Sequence, residues 1–318
     1  MPLASTYTGP PPLTTANVLT SWTWDWTAAA LVLLLGAAYV VGVLRVRRRG
    51  ERWSWTASAL FAVGLVAVVI ATMSFLGVYA HVLLWTYAVQ VVSLLLVAPV
   101  FFALGRPLTL ARAAGASPPF WRSGSARLLG YPPFATVVVS VVPLLFFFTG
   151  WITASLEHAW VYGPTHVVLI AAGFGFFWSN LAYDPLPRSF PLPASALLVF
   201  VETVVDALPG MILWLKATPI ALSYYVEVGR PWGRSLLADQ KLGGQLYWAI
   251  GEIVGVPILL LVAVQWMRAD ERESRRVDRM LDLSVPLGPA GEDEEPLLQQ
   301  PWWETDPSRL GRRLGGDD

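Results

Sequence analysis

Seven apolar stretches constrain this chain more than any other feature, at residues 27–44, 55–76, 83–104, 134–155, 165–183, 195–217 and 246–266. A helix needs about 20 such residues to cross a bilayer, and few other structures use so many in succession. The stretches are too long for barrel strands, and no repeat of fixed period accompanies them. Gly and Pro within them are tolerable, since neighbouring membrane helices re-satisfy freed backbone groups. The expected fold is an all-α integral membrane protein, a seven-transmembrane helix bundle. Composition agrees: 55% of the 318 residues are hydrophobic and 14% charged, against about 25% charge in soluble domains. The chain has no Cys, which excludes disulfides, thiolate metal sites and cysteine nucleophiles. Its net charge of zero says nothing useful about partners, and no large basic surface for nucleic acid is suggested.

Orientation follows from the basic residues. Eighteen lie on one side: Arg45, Arg47, Arg48, Arg49, Arg52, Arg106, Arg112, Arg122, Arg127, Arg188, Arg268, Arg272, Arg275, Arg276, Arg279, Arg309, Arg312 and Arg313. The other side holds four: Lys216, Arg230, Arg234 and Lys241. The N-terminus is therefore expected outside and the C-terminus in the cytoplasm. This divides the chain into an extracytoplasmic segment 1–26, a seven-helix membrane domain 27–267 and a cytoplasmic tail 268–318. The opening MPLASTYTGPPPLTTANVL lacks the basic start of a signal peptide and reads as mature sequence. RADERESRRVDRM alternates charges and is expected to prolong the last helix into water. The Pro-, Gly- and acid-rich remainder reads as disordered. Within it, Trp302-Trp303 is either a docking point or an incidental apolar pair.

Ionisable groups inside spans are costly and mark function by default. They are Glu202, Asp206 and Lys216 in the sixth span and Glu252 in the seventh, with Gln90 a polar companion in the third. Lys216 is placed to snorkel. Glu202 and Asp206, four apart, share a helix face expected to point inward. Gln90, Asp206 and Glu252 come out at comparable depth, so one buried cluster is expected, with interhelical hydrogen bonding as its plain alternative. Gly251 and Gly255 would allow close helix approach. The three histidines, His81, His158 and His166, all fall at the outer side, as do Met73 and Met211. Imidazole and thioether suit copper, thioether especially Cu(I); loop histidines are otherwise simply solvated.

Four stretches together resemble one family, the polytopic membrane assembly factors of bacterial cytochrome c oxidase. They are AAYVVGVLRVRRRGERW; VVSLLLVAPVFFALGRPLTLA, with Ala98-Pro99 and Gly105-x-Pro107; THVVLIAAGFGFFWSNLAYDPLP, with His166, Gly173, Trp178, Asp184 and Pro185; and LADQKLGGQLYWAIGEIVG, with Asp239, Gln240, Gly243 and Trp248. The resemblance runs from about residue 20 to 275. In the family the Asp-Gln collar sits at the outer mouth of the last helix. Here Asp239 and Gln240 are expected to cap that helix, with Tyr247 and Trp248 as interfacial anchors. One departure stands out. The family's third span opens with two imidazoles four apart, where this chain has Tyr87 and Val91; Gln90 is kept.

The resemblance implies a non-enzymatic assembly factor in the bacterial plasma membrane. Its partners would be haem–copper oxidase subunits and the lipid bilayer, and copper delivery to the catalytic subunit the step it serves. The candidate ligands are then His166, His81 and Met73, with Gln90, Asp239 and Gln240 as family polar residues. Two alternatives stand beside this one: a metal-free scaffold of the same family, and a small proton or cation transporter using Asp206 and Glu252. The transporter reading lacks the paired broken helices and inverted repeat of that class. No nucleophile–base–orienter pattern supports an enzyme.

Overall fold

The computed structural model describes residues 7–116, 128, 130–181, 183–185 and 190–284. Within these the chain is helical, with no strands. The helices are α1 (Thr15–Thr20), α2 (Trp26–Arg48), α3 (Trp55–Met73), α4 (Phe75–Tyr79), α5 (Leu84–Val92), α6 (Ala98–Leu104), α7 (Pro107–Ala113), α8 (Pro132–Phe148), α9 (Trp151–Glu157), α10 (Ala159–Leu181), α11 (Leu192–Leu215), α12 (Leu222–Val228) and α13 (Leu236–Ser284). Arg122, Arg127, Arg188, Arg309, Arg312, Arg313 and Trp302-Trp303 lie outside the described residues, as does the stretch read as a disordered tail.

Among the described residues, six helical segments are long and apolar enough to cross a membrane. The stretch expected as the fourth span is instead the pair α8 and α9, bent by 67° at Thr149-Gly150. Six candidate spans and one bent pair thus stand, among the described residues, where seven similar spans were expected.

Local chemistry sets the boundaries. Asp25 caps α2 by accepting the Ala28 N–H at 2.8 Å, and Ser54 caps α3 through Ala57. Arg45, Arg47 and Arg48 occupy the last turn of α2, where positive charge complements the helix dipole. Between α5 and α6 the third span widens into a π turn, Ser93–Val97. Pro99 is one cause, since it has no N–H to give the Leu95 carbonyl. That carbonyl faces Gly173 of α10, where a Cβ would collide with it.

The last span departs furthest from expectation. Read as starting near 246, it begins at Leu236, so the polar collar forms its first turns rather than preceding it. Glycines fit it to its neighbours: Gly244 meets the Gly210 carbonyl of α11, Gly243 meets Trp85 of α5, and Gly251 leaves room for the Asp206 carboxylate. Tyr247, expected as an interfacial anchor, is fully buried.

The chain forms two units, Met1–Met267 and Arg268–Asp318. In the second, residues 268–284 are helical and carry exposed pairs such as Arg275–Glu271 at 2.5 Å. Such pairs contribute little to stability.

Candidate functional site

The bundle has two chemically distinct ends: a histidine end, where α2 starts at Asp25, and an arginine end, where α2 finishes.

At the histidine end, His166 of α10 is 1% exposed. Its Nδ1 lies 3.3 Å from Asp25 Oδ2, off the line of a good hydrogen bond. Both His166 nitrogens and that Asp25 oxygen are therefore buried with no hydrogen-bond partner among the described residues. The Tyr162 ring sits against both His166 and His81, with centroids 4.4 and 4.8 Å away. Gln90 binds the Tyr162 hydroxyl twice: Nε2 donates to it at 2.9 Å, and Oε1 lies 3.1 Å from it. Tyr87 and Ser155 share a hydroxyl–hydroxyl bond of 2.6 Å. The site thus gathers α2, α5, α9, α10 and the loop that carries His81 onto one core.

Burial and charge tune its edge. Burial pushes the Asp25 carboxyl up, but His166 and the Ala28 N–H together outweigh it and leave the pKa below the ordinary value. Burial also lowers the His81 pKa, and the nearby His166 adds to the effect. His81 is thus half-buried against Tyr162 rather than solvated. His158 is the exposed histidine, stacked on Trp160.

Met73 is buried at the end of α3, and its carbonyl takes the Thr23 N–H at 2.8 Å, which ties it to the segment leading into Asp25. Tyr162 and Asp25 lie against His166, and Tyr162 and the Leu156 backbone against His81. Among the described residues no set of three or more His, Asp or Glu side chains is gathered as a metal cage.

Gln90, Asp206 and Glu252, expected as one cluster, each have a hydrogen-bond partner of their own. Gln90 belongs to Tyr162. Asp206 accepts from the buried Tyr247 hydroxyl at 3.2 Å. Glu252 is partly exposed and accepts from Trp248 Nε1 at 3.1 Å. Asp206, Glu252 and Glu202 nevertheless lie close enough to interact electrostatically, and the Asp206 carboxylate packs on Gly251, next to Glu252. Glu202 and Asp206 are both buried. Lys216 is the exposed C-cap of α11.

The collar reaches across the bundle instead of capping its own helix. Asp239 accepts the Leu84 N–H at 2.6 Å and so caps α5. Gln240 Oε1 accepts the Ile220 N–H at 2.7 Å, while Nε2 donates to the Leu213 carbonyl at 3.1 Å. It thereby holds the C-terminal end of α11. At the arginine end Asp184 does similar work. It accepts from the Thr109 N–H and hydroxyl at 2.7 and 2.6 Å and from the Leu108 N–H at 3.2 Å, capping α7. Burial raises its pKa, and these bonds oppose the rise.

Residues 37–269 match the cytochrome c oxidase caa3 assembly factor family. This chain is a member of that family. Proteins of Mycobacterium bovis, Mycobacterium tuberculosis and Mycobacterium leprae, each described only as uncharacterized, are 28% identical to it over 289 residues. The match covers 87% of this chain and 44% of each relative, so the chain spans less than half their length. No solved structure matches it. The family residues Asp184, Asp239, Gln240 and Gly173 all act between helices in this member. The spacing missed Asp25, Tyr162 and Ser155. An Asp directly before an apolar run is a cap signal, and it would have placed Asp25 at the mouth of the first span.

Proposed function

We propose that this chain assists the assembly of a haem–copper cytochrome c oxidase without catalysing a reaction of its own, and that Cu(I) passes as cargo through a site on His166 and His81. The observation that carries the reading is His166 itself, a buried imidazole whose Nε2 has no hydrogen-bond partner among the described residues and whose Nδ1 lies 3.3 Å from a carboxylate oxygen. Buried polar atoms are normally satisfied, so such an atom calls for a partner. Asp25 on the Nδ1 side would set the tautomer and leave Nε2 to bind metal, a common second role for carboxylates. His81, kept neutral by burial, suits the same task. Met73, linked through Thr23, is the soft ligand nearest in the chain path and would favour Cu(I) over Zn(II). In this reading the bent pair α8 and α9 counts as the seventh span, and the histidine end faces outside, where copper would be handed to an oxidase subunit.

A second reading, a metal-free scaffold, draws on a different observation. Where the family carries two third-span imidazoles, Tyr87 bonds Ser155 and Val91 is fully buried. That face is satisfied without metal. A Cu(I) competition titration separates the two readings. The copper reading expects one tight equivalent in the wild type, lost in His166→Ala and weakened in His81→Ala. Binding that appears only in the Tyr87→His, Val91→His variant would leave the scaffold. In either case, deleting the protein should lower assembled oxidase at unchanged transcript levels.

A further inference from the structure

A groove of 350 Å³ runs along the bundle between α2, α3, α6, α7 and α10. Its walls are aliphatic and aromatic, including Leu31, Leu35, Ala38 and Gly42 of α2, Leu110 of α7 and Phe174 of α10. The four α2 residues are spaced four, three and four apart, which makes them one stripe on the helix surface. At 1.5 Å per residue the stripe is about 16 Å long, comparable to a fatty acyl chain. The same spacing continues past Gly42 to Arg45 and Arg49, both exposed. Arg49 Nη1 donates to the Ala113 carbonyl at 2.9 Å, fastening the end of α2 to α7, which forms the groove's floor. Arg48, Arg106 and Arg112 are exposed at this end too. Of the nearby acids, Glu51 is exposed and Asp184 is engaged in capping α7.

A slot that is apolar along its length and cationic at one mouth matches one kind of occupant. We propose that it is a specific binding site for a single anionic phospholipid. One acyl chain lies along Leu31, Leu35, Ala38 and Gly42, and the headgroup sits among Arg45, Arg49 and Arg112. Clustered arginines at a membrane surface favour anionic over zwitterionic lipid. A close-packed groove, unlike a flat helix face, also gives the chain contacts on several sides. This site is independent of the histidine end.

The test is native mass spectrometry of the full chain in detergent, offered equal amounts of phosphatidylglycerol and phosphatidylethanolamine with identical acyl chains. The wild type should retain one phosphatidylglycerol per chain with roughly tenfold preference. Ala38→Trp, at an exposed lining position, should lose the retained lipid, and Leu35→Trp serves if that variant does not fold. Arg45→Gln with Arg49→Gln should keep one lipid but lose the headgroup preference. Equal retention of both lipids by the wild type would overturn the proposal. So would unchanged phosphatidylglycerol retention in a folded Trp variant. A dimer that the Trp variant dissolves would assign the groove to a second copy of the chain instead.

Discussion

Residue by residue, several buried polar side chains of this protein act on backbone ends of helices they do not belong to. Asp239 is the clearest case. Its carboxylate is 2% exposed and lies 2.6 Å from an N–H 155 residues away in sequence. Asp239→Ala should cost about 1–3 kcal/mol, while Asp239→Asn should keep much of that, because the amide oxygen still accepts. Thermal unfolding in detergent checks both. Acidification should act through Asp25 and His81. Each has a folded pKa below its ordinary value, 3.8 for Asp25 and 6.5 for His81. Each therefore contributes stability that is present above its ordinary value and is lost as pH falls through the folded pKa. The melting temperature should drop first below about pH 6.5, and His81→Gln should remove that first drop while sparing the one near pH 4. Asp239, whose pKa burial raises to about 6, and Asp184 act in the opposite sense. The His81 part is therefore contradicted if His81→Gln and the wild type change in parallel from about pH 7.5 to 5. Sequence alone flagged Asp239, Gln240, Gln90 and His166, because polar groups stand out against apolar runs. It could not say whom they bind, since helical spacing fixes depth and face but not the neighbouring helix. Gln90 shows the gap: its depth could be read, but not that its partner is the Tyr162 hydroxyl.

Helix by helix, the structure depends on backbones that touch. The π turn at Ser93–Val97 turns the Leu95 carbonyl toward Gly173. A methyl there has no room, so Gly173→Ala should destabilise by about 1–3 kcal/mol through overpacking, whereas Gly175→Ala, with open space around it, should be near neutral. Comparing the two variants by unfolding isolates the contact from helix propensity, which favours Ala at both sites. The apolar runs made most of these helices legible. Their breaks were less so. Thr149-Gly150 bends a span that hydropathy reads as continuous, because hydropathy counts apolar residues and is blind to a lost turn of hydrogen bonds. The early start of α13 was hidden for the opposite reason, its first turns being too polar to register as membrane helix.

For the whole molecule, the uneven distribution of arginine makes a prediction about placement. Reporter fusions in the 49–54 connection and after residue 268 should report the cytoplasm, and a fusion at the N-terminus the outer side. A fusion after Arg52 that reports the outside would reverse the orientation and move the histidine end to the cytoplasm. The collar on α13 has a consequence in time as well as space. The ribosome makes this helix after the other spans, yet it supplies the cap of α5 and the clasp of α11. Until Gln240 has left the ribosome, the N–H of Leu84 and the carbonyl of Leu213 lack these partners, so the nascent bundle stays ajar at its histidine end. A chain halted before Leu236 should be inserted but open to protease there, and one halted after Trp266 should be closed.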